Sequence, residues 1–302
     1  MTISEQWKGV GFVLGADALW ALSGSMAKYL FNQHISPFHL VQIRLTLSAL
    51  ILAVFLAVTR PALLKIERSD LRYLLIFGIF GMALVQFTYL FTISETNVST
   101  AVFLQYLAPA FVVLYETVAW RQELRPVKAA ALVLALVGGL LILKGPGGWA
   151  LSVTPIGLAS GLTSAAAFGF YIVYGKYGLS RYHPLTLLVW GLGLGALAWA
   201  IARPPWLLPS FSTRDWLFFL YIAVFATIIP FGLFFKGLNH LTPAVTGITS
   251  MMEPVLAGLF AFVLLNEVLS LPQLAGCALI IAGVLIIQQT GNPTETTAPP
   301  NA

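Results

Sequence analysis

Polar or proline-marked breaks divide this chain into ten apolar runs of about twenty residues, the length that carries an α-helix across the hydrocarbon core of a bilayer. They are Trp7 to Tyr29, Pro37 to Val58, Leu71 to Ile93, Val98 to Trp120, Pro126 to Leu143, Thr154 to Gly175, Pro184 to Ala200, Arg214 to Phe235, Pro243 to Leu265 and Leu271 to Gln288. The alternation that barrel strands need is absent, so the expected fold is an all-α integral membrane bundle of ten transmembrane helices. Charge agrees with this: 9% of the 302 residues are charged, against about a quarter in soluble domains. The first run is too long for a signal-peptide core and ends at Lys28-Tyr29 without a small-residue cleavage site, which predicts a retained helix. Residues 290–302 are polar and proline-rich and are expected to be a disordered tail. The single cysteine, Cys277, rules out an intrachain disulfide.

Short cytoplasmic loops collect Lys and Arg, which orients the bundle. With the N-terminus inside, one face gathers Lys8, Arg60, Lys65, Arg68, Arg72, Arg121, Arg125, Lys128, Lys176, Arg181 and Lys236, whereas the other holds Lys28, Lys144, Arg203 and Arg214. Both termini are therefore expected on the cytoplasmic side of the inner (cytoplasmic) membrane. The net charge of +5 is absorbed by this topology and points to no nucleic-acid partner.

Residues from Asp70 to Pro109 overlay on Asp215 to Pro254 without a gap, matching Phe80 with Phe225, and slightly different offsets pair Lys28 with Lys176 and Gly139 with Gly283. This predicts two five-helix repeats, residues 1–145 and 146–289. Because five is odd, the second copy must enter the membrane from the opposite side, giving an inverted repeat of the kind secondary transporters use.

The most telling echo is proline. YLAPAFVVLYETVAWRQE from Tyr106 and MMEPVLAGLFAFVLLNE from Met251 each place a proline early in an apolar run that closes on a polar cluster with glutamate. A proline inside a helix removes one backbone bond, so Pro109 is expected to free the carbonyl of Gln105 and Pro254 that of Ser250. Broken backbone at membrane depth is tolerated only where protein buries it or where it lines a cavity. Pro109 and Pro254 are thus candidate hinges around a working centre, with Tyr106 and Met251 turned toward it. Pro230, whose counterpart is Val85, is expected to bend one half only.

The ten-helix plan, the WALSGSMAKYL run from Trp20, the SPFHLVQIRLTLSALIL run with Arg44, and the segments ending in RQEL and LNEV resemble the EamA family of the drug/metabolite transporter superfamily, most closely its YddG-type exporters of aromatic amino acids. The resemblance covers nearly the whole chain. Ala108 precedes the first proline where Glu253 precedes the second, and RQE replaces the usual Gly-Glu ending. The resemblance implies a central cavity ringed by the first, third, fourth, sixth, eighth and ninth helices. That ring puts Trp20, Phe87, Tyr89, Gln105, Tyr106, Phe168, Tyr171, Ser250 and Met251 forward as cavity residues, where a ring-bearing substrate could stack.

Charges within apolar spans are expensive and are functional candidates by default. Asp17 lies ten or so residues into the first helix, near the midplane at about 1.5 Å per residue, and Asp17, Trp20, Gly24 and Lys28 share one helical stripe. Glu253 reaches similar depth in the ninth helix, and Arg44 lies about 10 Å from the outer end of the second. Two readings stand side by side: proton coupling through Asp17 or Glu253, or a permanent structural ion pair of either with Arg44 or Lys28. For Glu116 a helix-end salt bridge with Arg121 is expected.

No metal or cofactor site is expected: there is no HExxH, no phosphate-cradling glycine loop and no aspartate-rich prenyl motif, and His34, His39, His183 and His240 all lie near interfaces. Without an ATP site, transport must be driven by a gradient or be passive. The function expected is export of aromatic or hydrophobic amino acids and related metabolites by alternating access. The alternatives are uptake or exchange of another metabolite and, in a different class, an intramembrane enzyme.

Overall fold

The computed structural model describes residues 3–145, 147–151, 153–204 and 208–289, so the tail expected at 290–302 lies outside the described residues. The chain opens with two continuous helices, α1 (Ile3–Asn32) and α2 (Pro37–Thr59). The third apolar run is built of α3 (Leu71–Ile76), a π-helical turn (Phe77–Ala83) and α4 (Leu84–Glu95). The fourth is split into α5 (Val98–Gln105) and α6 (Ala108–Val118), and the fifth is α7 (Pro126–Ile142). A two-stranded hairpin, Lys144–Gly145 against Gly148–Trp149, leads to α8 (Pro155–Leu179) and α9 (Pro184–Ala202). The eighth run repeats the plan of the third: α10 (Thr213–Ala223), a π turn (Val224–Ile228) and α11 (Ile229–His240). The ninth repeats the fourth, with α12 (Pro243–Thr249), a 3₁₀ turn (Ser250–Met252) and α13 (Glu253–Leu265), and α14 (Leu271–Gln289) closes the fold.

Local sequence explains where these helices start. Ser36, Asn97, Thr154, Ser212 and Thr242 each accept a backbone N–H of the following turn through the side chain. Pro37, Pro155, Pro184 and Pro243 occupy first-turn positions, where no N–H is needed and φ is already set. Among the described residues nine helices are long and apolar enough to cross a membrane. The remaining run, the fifth, is α7, which has 17 residues and reaches about 25 Å at 1.5 Å per residue.

Two expectations about the prolines are corrected. Pro109 and Pro254 do not kink continuous helices; each lies in the first turn of a new half-helix, α6 and α13. The carbonyl of Ser250 keeps a donor, because the 3₁₀ turn brings the N–H of Glu253 onto it. Pro230 does not bend one half alone. It sits in the first turn of α11, just after the π turn 224–228, and an equivalent π turn, 77–83, lies in the first half with no proline behind it. Close packing of α9 accompanies that first π turn: a Cβ on Gly78 would stand 2.8 Å from Leu194 Cβ and 3.0 Å from the Gly195 nitrogen.

Half-buried lysines close two helix ends. Lys28 Nζ donates to the carbonyls of Ile93 and Thr96 at 3.1 Å each, at the end of α4. Lys176 Nζ donates to Leu238, Asn239 and Leu241 at 2.8, 3.2 and 2.9 Å, at the end of α11. Terminal carbonyls lack helical partners and carry the negative end of the helix dipole, so an ammonium there satisfies both hydrogen bonding and charge. The gap-free overlay of 70–109 on 215–254 puts Ile93 and Thr96 on Leu238 and Leu241, so the two caps are made at equivalent places.

The bundle's interior is aromatic: Phe77, Tyr171, Phe234 and Phe235 are fully buried. Tyr171 stacks on Phe168 and Phe235 with centroids 5.7 and 5.0 Å apart. To one side α7 and α14 cross through glycines, where a Cβ on Gly138 would lie 2.6 Å from the Gly276 carbonyl oxygen. At the end of the bundle where α3 begins, Asp70 takes Arg181 Nη1 and the Tyr182 hydroxyl at 2.7 Å each. Glu116 is an ion-pair residue, but the pair expected with Arg121 is made with Lys128, at 3.1 Å, and its other oxygen accepts the Ala244 N–H.

Candidate functional site

The two split spans meet in the middle of the fold. Tyr106, in the break between α5 and α6, donates its hydroxyl to Glu253, in the first turn of α13. Beside this bond lies a cavity of about 70 Å³. Its walls are Trp20, Ser23 and Ala27 of α1, Leu40 and Arg44 of α2, and Val85, Gln86, Tyr89 and Leu90 of α4. Gln105 and Tyr106 come from the first break, Ser250 and Glu253 from the second, and Phe168, Ile222, Ala226 and Phe231 complete the lining.

A π turn widens the helix and leaves its carbonyls misaligned with their usual donors, and such turns recur at functional sites. At 224–228 donors from two other helices supply the lack. Arg44 Nε donates to Thr227 Oγ1 at 2.7 Å and Arg44 Nη2 to the Ala226 carbonyl at 2.8 Å. Trp20 Nε1 reaches the same carbonyl at 3.2 Å, and Ser48 Oγ donates to the Ala223 carbonyl at 3.2 Å. The Thr227 hydroxyl in turn donates to the Ile222 carbonyl at 2.9 Å. Arg44 is buried with neutral acceptors only, and among the described residues no carboxylate stands within ion-pair distance of it. Glu253 likewise faces the cavity with a phenol, not a cation, as its partner. Tyr89 lies within electrostatic reach of both.

Other polar atoms in the wall are differently engaged. Gln105 Nε2 donates to Ser164 Oγ at 3.0 Å, and Ser250 Oγ to the Gly247 carbonyl at 2.9 Å. Gln86 Nε2 is buried with no hydrogen-bond partner. Asp17 is buried nearby with both carboxylate oxygens unpartnered, within electrostatic reach of Glu253 and Tyr106 but outside the cavity lining.

The structure thus brings together Trp20, Arg44, Tyr89, Gln105, Tyr106, Phe168, Ser250 and Glu253, and leaves four more expected residues, besides Asp17, elsewhere. Phe87 turns away to a cluster with Phe38, Phe91 and Trp199, at centroid distances of 5.0, 5.4 and 4.9 Å. Tyr171 is one layer back, enclosed by the phenylalanines of the core. Met251 borders a second cavity of about 350 Å³ between α5, α13 and α14, which Tyr106 and Glu253 separate from the first. Lys28 is spent on carbonyls, and neither it nor Arg44 pairs with Asp17 or Glu253, so the structural ion pair is not formed. Gly24, the fourth member of the α1 stripe, lies outside the residues whose side chains are described.

Sequence reasoning missed Gln86, Ser23 and Phe231. For Gln86 a signal existed: a glutamine in an apolar run, three residues before Tyr89 and so on the same helical face. Among the described residues no group of three or more His, Cys, Asp or Glu side chains could hold a metal ion.

Comparison with known proteins adds the following. The chain matches the EamA-like transporter family over residues 7–144 and again over residues 155–289. It is 30% identical over 292 residues to the uncharacterized inner membrane transporter YicL of Salmonella typhimurium strain LT2, covering 93% of this chain and 95% of that protein. It is 31% identical over 289 residues to the threonine/homoserine exporter RhtA of the same strain, covering 92% of this chain and 90% of that protein. A solved crystal structure with 20% sequence identity superposes with a TM-score of 0.76, covering 98% of this chain and 100% of the other, which speaks to the fold alone.

Proposed function

Because the chain belongs to the EamA-like transporter family, we propose that it is a secondary transporter that exports amino acids across the cytoplasmic membrane by alternating access. One observation carries this reading: two spans broken at equivalent places meet at Tyr106 and Glu253 beside a cavity that holds an arginine with no acidic partner among the described residues. Discontinuous helices meeting at a midplane cavity are the recurrent architecture of secondary transporters. In the same reading residues 1–145 and 146–289 are inverted five-helix repeats, both termini are cytoplasmic, and the breaks at Pro109 and Pro254, with the π turn before Pro230, absorb the change of shape. Asp17 and Glu253 are the candidates for proton coupling, since a buried carboxylate without a cation at this depth is expensive to keep charged.

The side chain favoured is small and hydroxylated. RhtA, named for threonine and homoserine, aligns along almost the whole chain, and that similarity carries the preference. A second reading, aromatic and hydrophobic amino acids, is favoured by the rings of Trp20, Tyr89, Tyr106, Phe168 and Phe231 in the wall.

Counterflow in proteoliposomes tests both. Labelled threonine and homoserine are expected to exchange faster than phenylalanine and tryptophan. The reverse order favours the second reading. Chemical conversion of a lipid or peptide with no amino-acid flux overturns the transporter and restores the intramembrane-enzyme alternative.

A further inference from the structure

The cavity carries one buried cation and one carboxylate that do not neutralise each other. Arg44 spends Nε and Nη2 on Thr227 and Ala226, and among the described residues Nη1 has no partner. Gln86 adds a buried amide nitrogen with nothing to donate to. Both donors belong to residues that line the cavity, and among the described residues neither has an acceptor. Across the same space Glu253 has only the Tyr106 hydroxyl. Leaving buried charges and donors unanswered is costly, and truncating one member of a buried charge pair is costly because the other is left bare. A ligand with a single charge would answer one pole and abandon the other. Arg44, Gln86 and Glu253 all line this one cavity, so a single small molecule there can meet both poles.

We propose that the cavity is a two-pole site for a zwitterion, with the α-carboxylate held by Arg44 Nη1 and Gln86 Nε2, and the ammonium held by Glu253, which exchanges the Tyr106 hydroxyl for the ligand. The inference rests on the amino-acid reading above and adds to it which residues read which end of the substrate. Tyr106 and Glu253 also divide this cavity from the larger one beside it, so an ammonium that takes Glu253 loosens the bond between the two helix breaks. Substrate binding and release of the partition are thereby one event. Asp17 supplies neither pole, since it does not line the cavity.

The test is a binding titration on the purified full-length protein with three probes: L-threonine, L-threoninamide, which lacks the carboxylate charge, and 2,3-dihydroxybutyrate, which lacks the amine. Wild-type protein is expected to bind each analogue at least about tenfold more weakly than threonine. In Glu253→Gln the preference for threonine over the deaminated analogue should collapse, while the preference over the amide persists. In Gln86→Leu the preference for threonine over the amide should shrink, while the preference over the deaminated analogue persists. Arg44 is left unaltered here because it braces the π turn, and thermal melting confirms that both variants fold. If wild-type protein binds either analogue as tightly as threonine, or if Glu253→Gln keeps its preference over the deaminated probe, the two-pole site is overturned and amino-acid export survives. Failure of threonine and of every other amino acid to bind overturns both.

Discussion

The two π turns occupy equivalent places in the two halves, yet they are packed by opposite chemistry. Counted from the prolines that open α2 and α9, Arg44 and Gly191 are each the eighth residue, and Ser48 and Gly195 each the twelfth. In the second half's π turn, Arg44 and Ser48 donate to Thr227, Ala226 and Ala223. In the first half's, Gly191 and Gly195 bring the backbone of α9 against Phe77 and Gly78, where a Cβ on Gly195 would lie 2.8 Å from the Gly78 carbonyl oxygen. One turn is held open to a cavity by polar side chains; the other is sealed by close contact. The lesson is that two equivalent scaffolds yield a single site when donors replace glycines on one of them. The lysine caps on α4 and α11 show the reverse, since there the two halves share the same chemistry.

The largest effect that can sharpen this contrast is expected at the sealed turn. Gly195→Val should destabilise by about 3 kcal/mol or more, because backbone on the opposing segment cannot move aside, and thermal melting of the detergent-solubilised protein would measure it. A melt close to wild type would mean the glycines are not what seals that turn. Next come the caps: Lys28→Met and Lys176→Met should each cost about 1–3 kcal/mol and cost similar amounts, since each strips a charged donor from terminal carbonyls. Markedly unequal losses would break the equivalence of the halves. The smallest is Ser48→Ala, which removes one neutral bond to the Ala223 carbonyl and should lower stability by about 1 kcal/mol.

Much of the scaffold is legible in the sequence because the bilayer writes it there. Run length marks nine candidate spans and the shorter α7, and Pro109 and Pro254 mark the breaks. Which face of each helix points inward is not legible in the same way. In lipid both faces of a span are apolar, so the periodicity that distinguishes inside from outside in a soluble helix is lost. This is why Phe87 and Tyr89, two residues apart on α4, could not be told apart, and why Tyr171 looks like Phe168 until the core is seen around it. The first π turn was invisible for another reason: no proline follows Phe77–Ala83, and its cause is contact with α9, distant in sequence. Lys28 read as a charge awaiting a carboxylate because its actual partners are backbone carbonyls, which every residue offers and no sequence pattern singles out.

The central claim is that the working site lies at the polar π turn and that Arg44 belongs to it, whereas Lys28, a half-buried cation that also donates to carbonyls, does not. Threonine counterflow measured in parallel for wild type, Arg44→Gln and Lys28→Met, each reconstituted in equal folded amount, tests it most directly. The account expects flux to be abolished in Arg44→Gln and retained in Lys28→Met. Retained flux in Arg44→Gln, or equal loss in both, would contradict it.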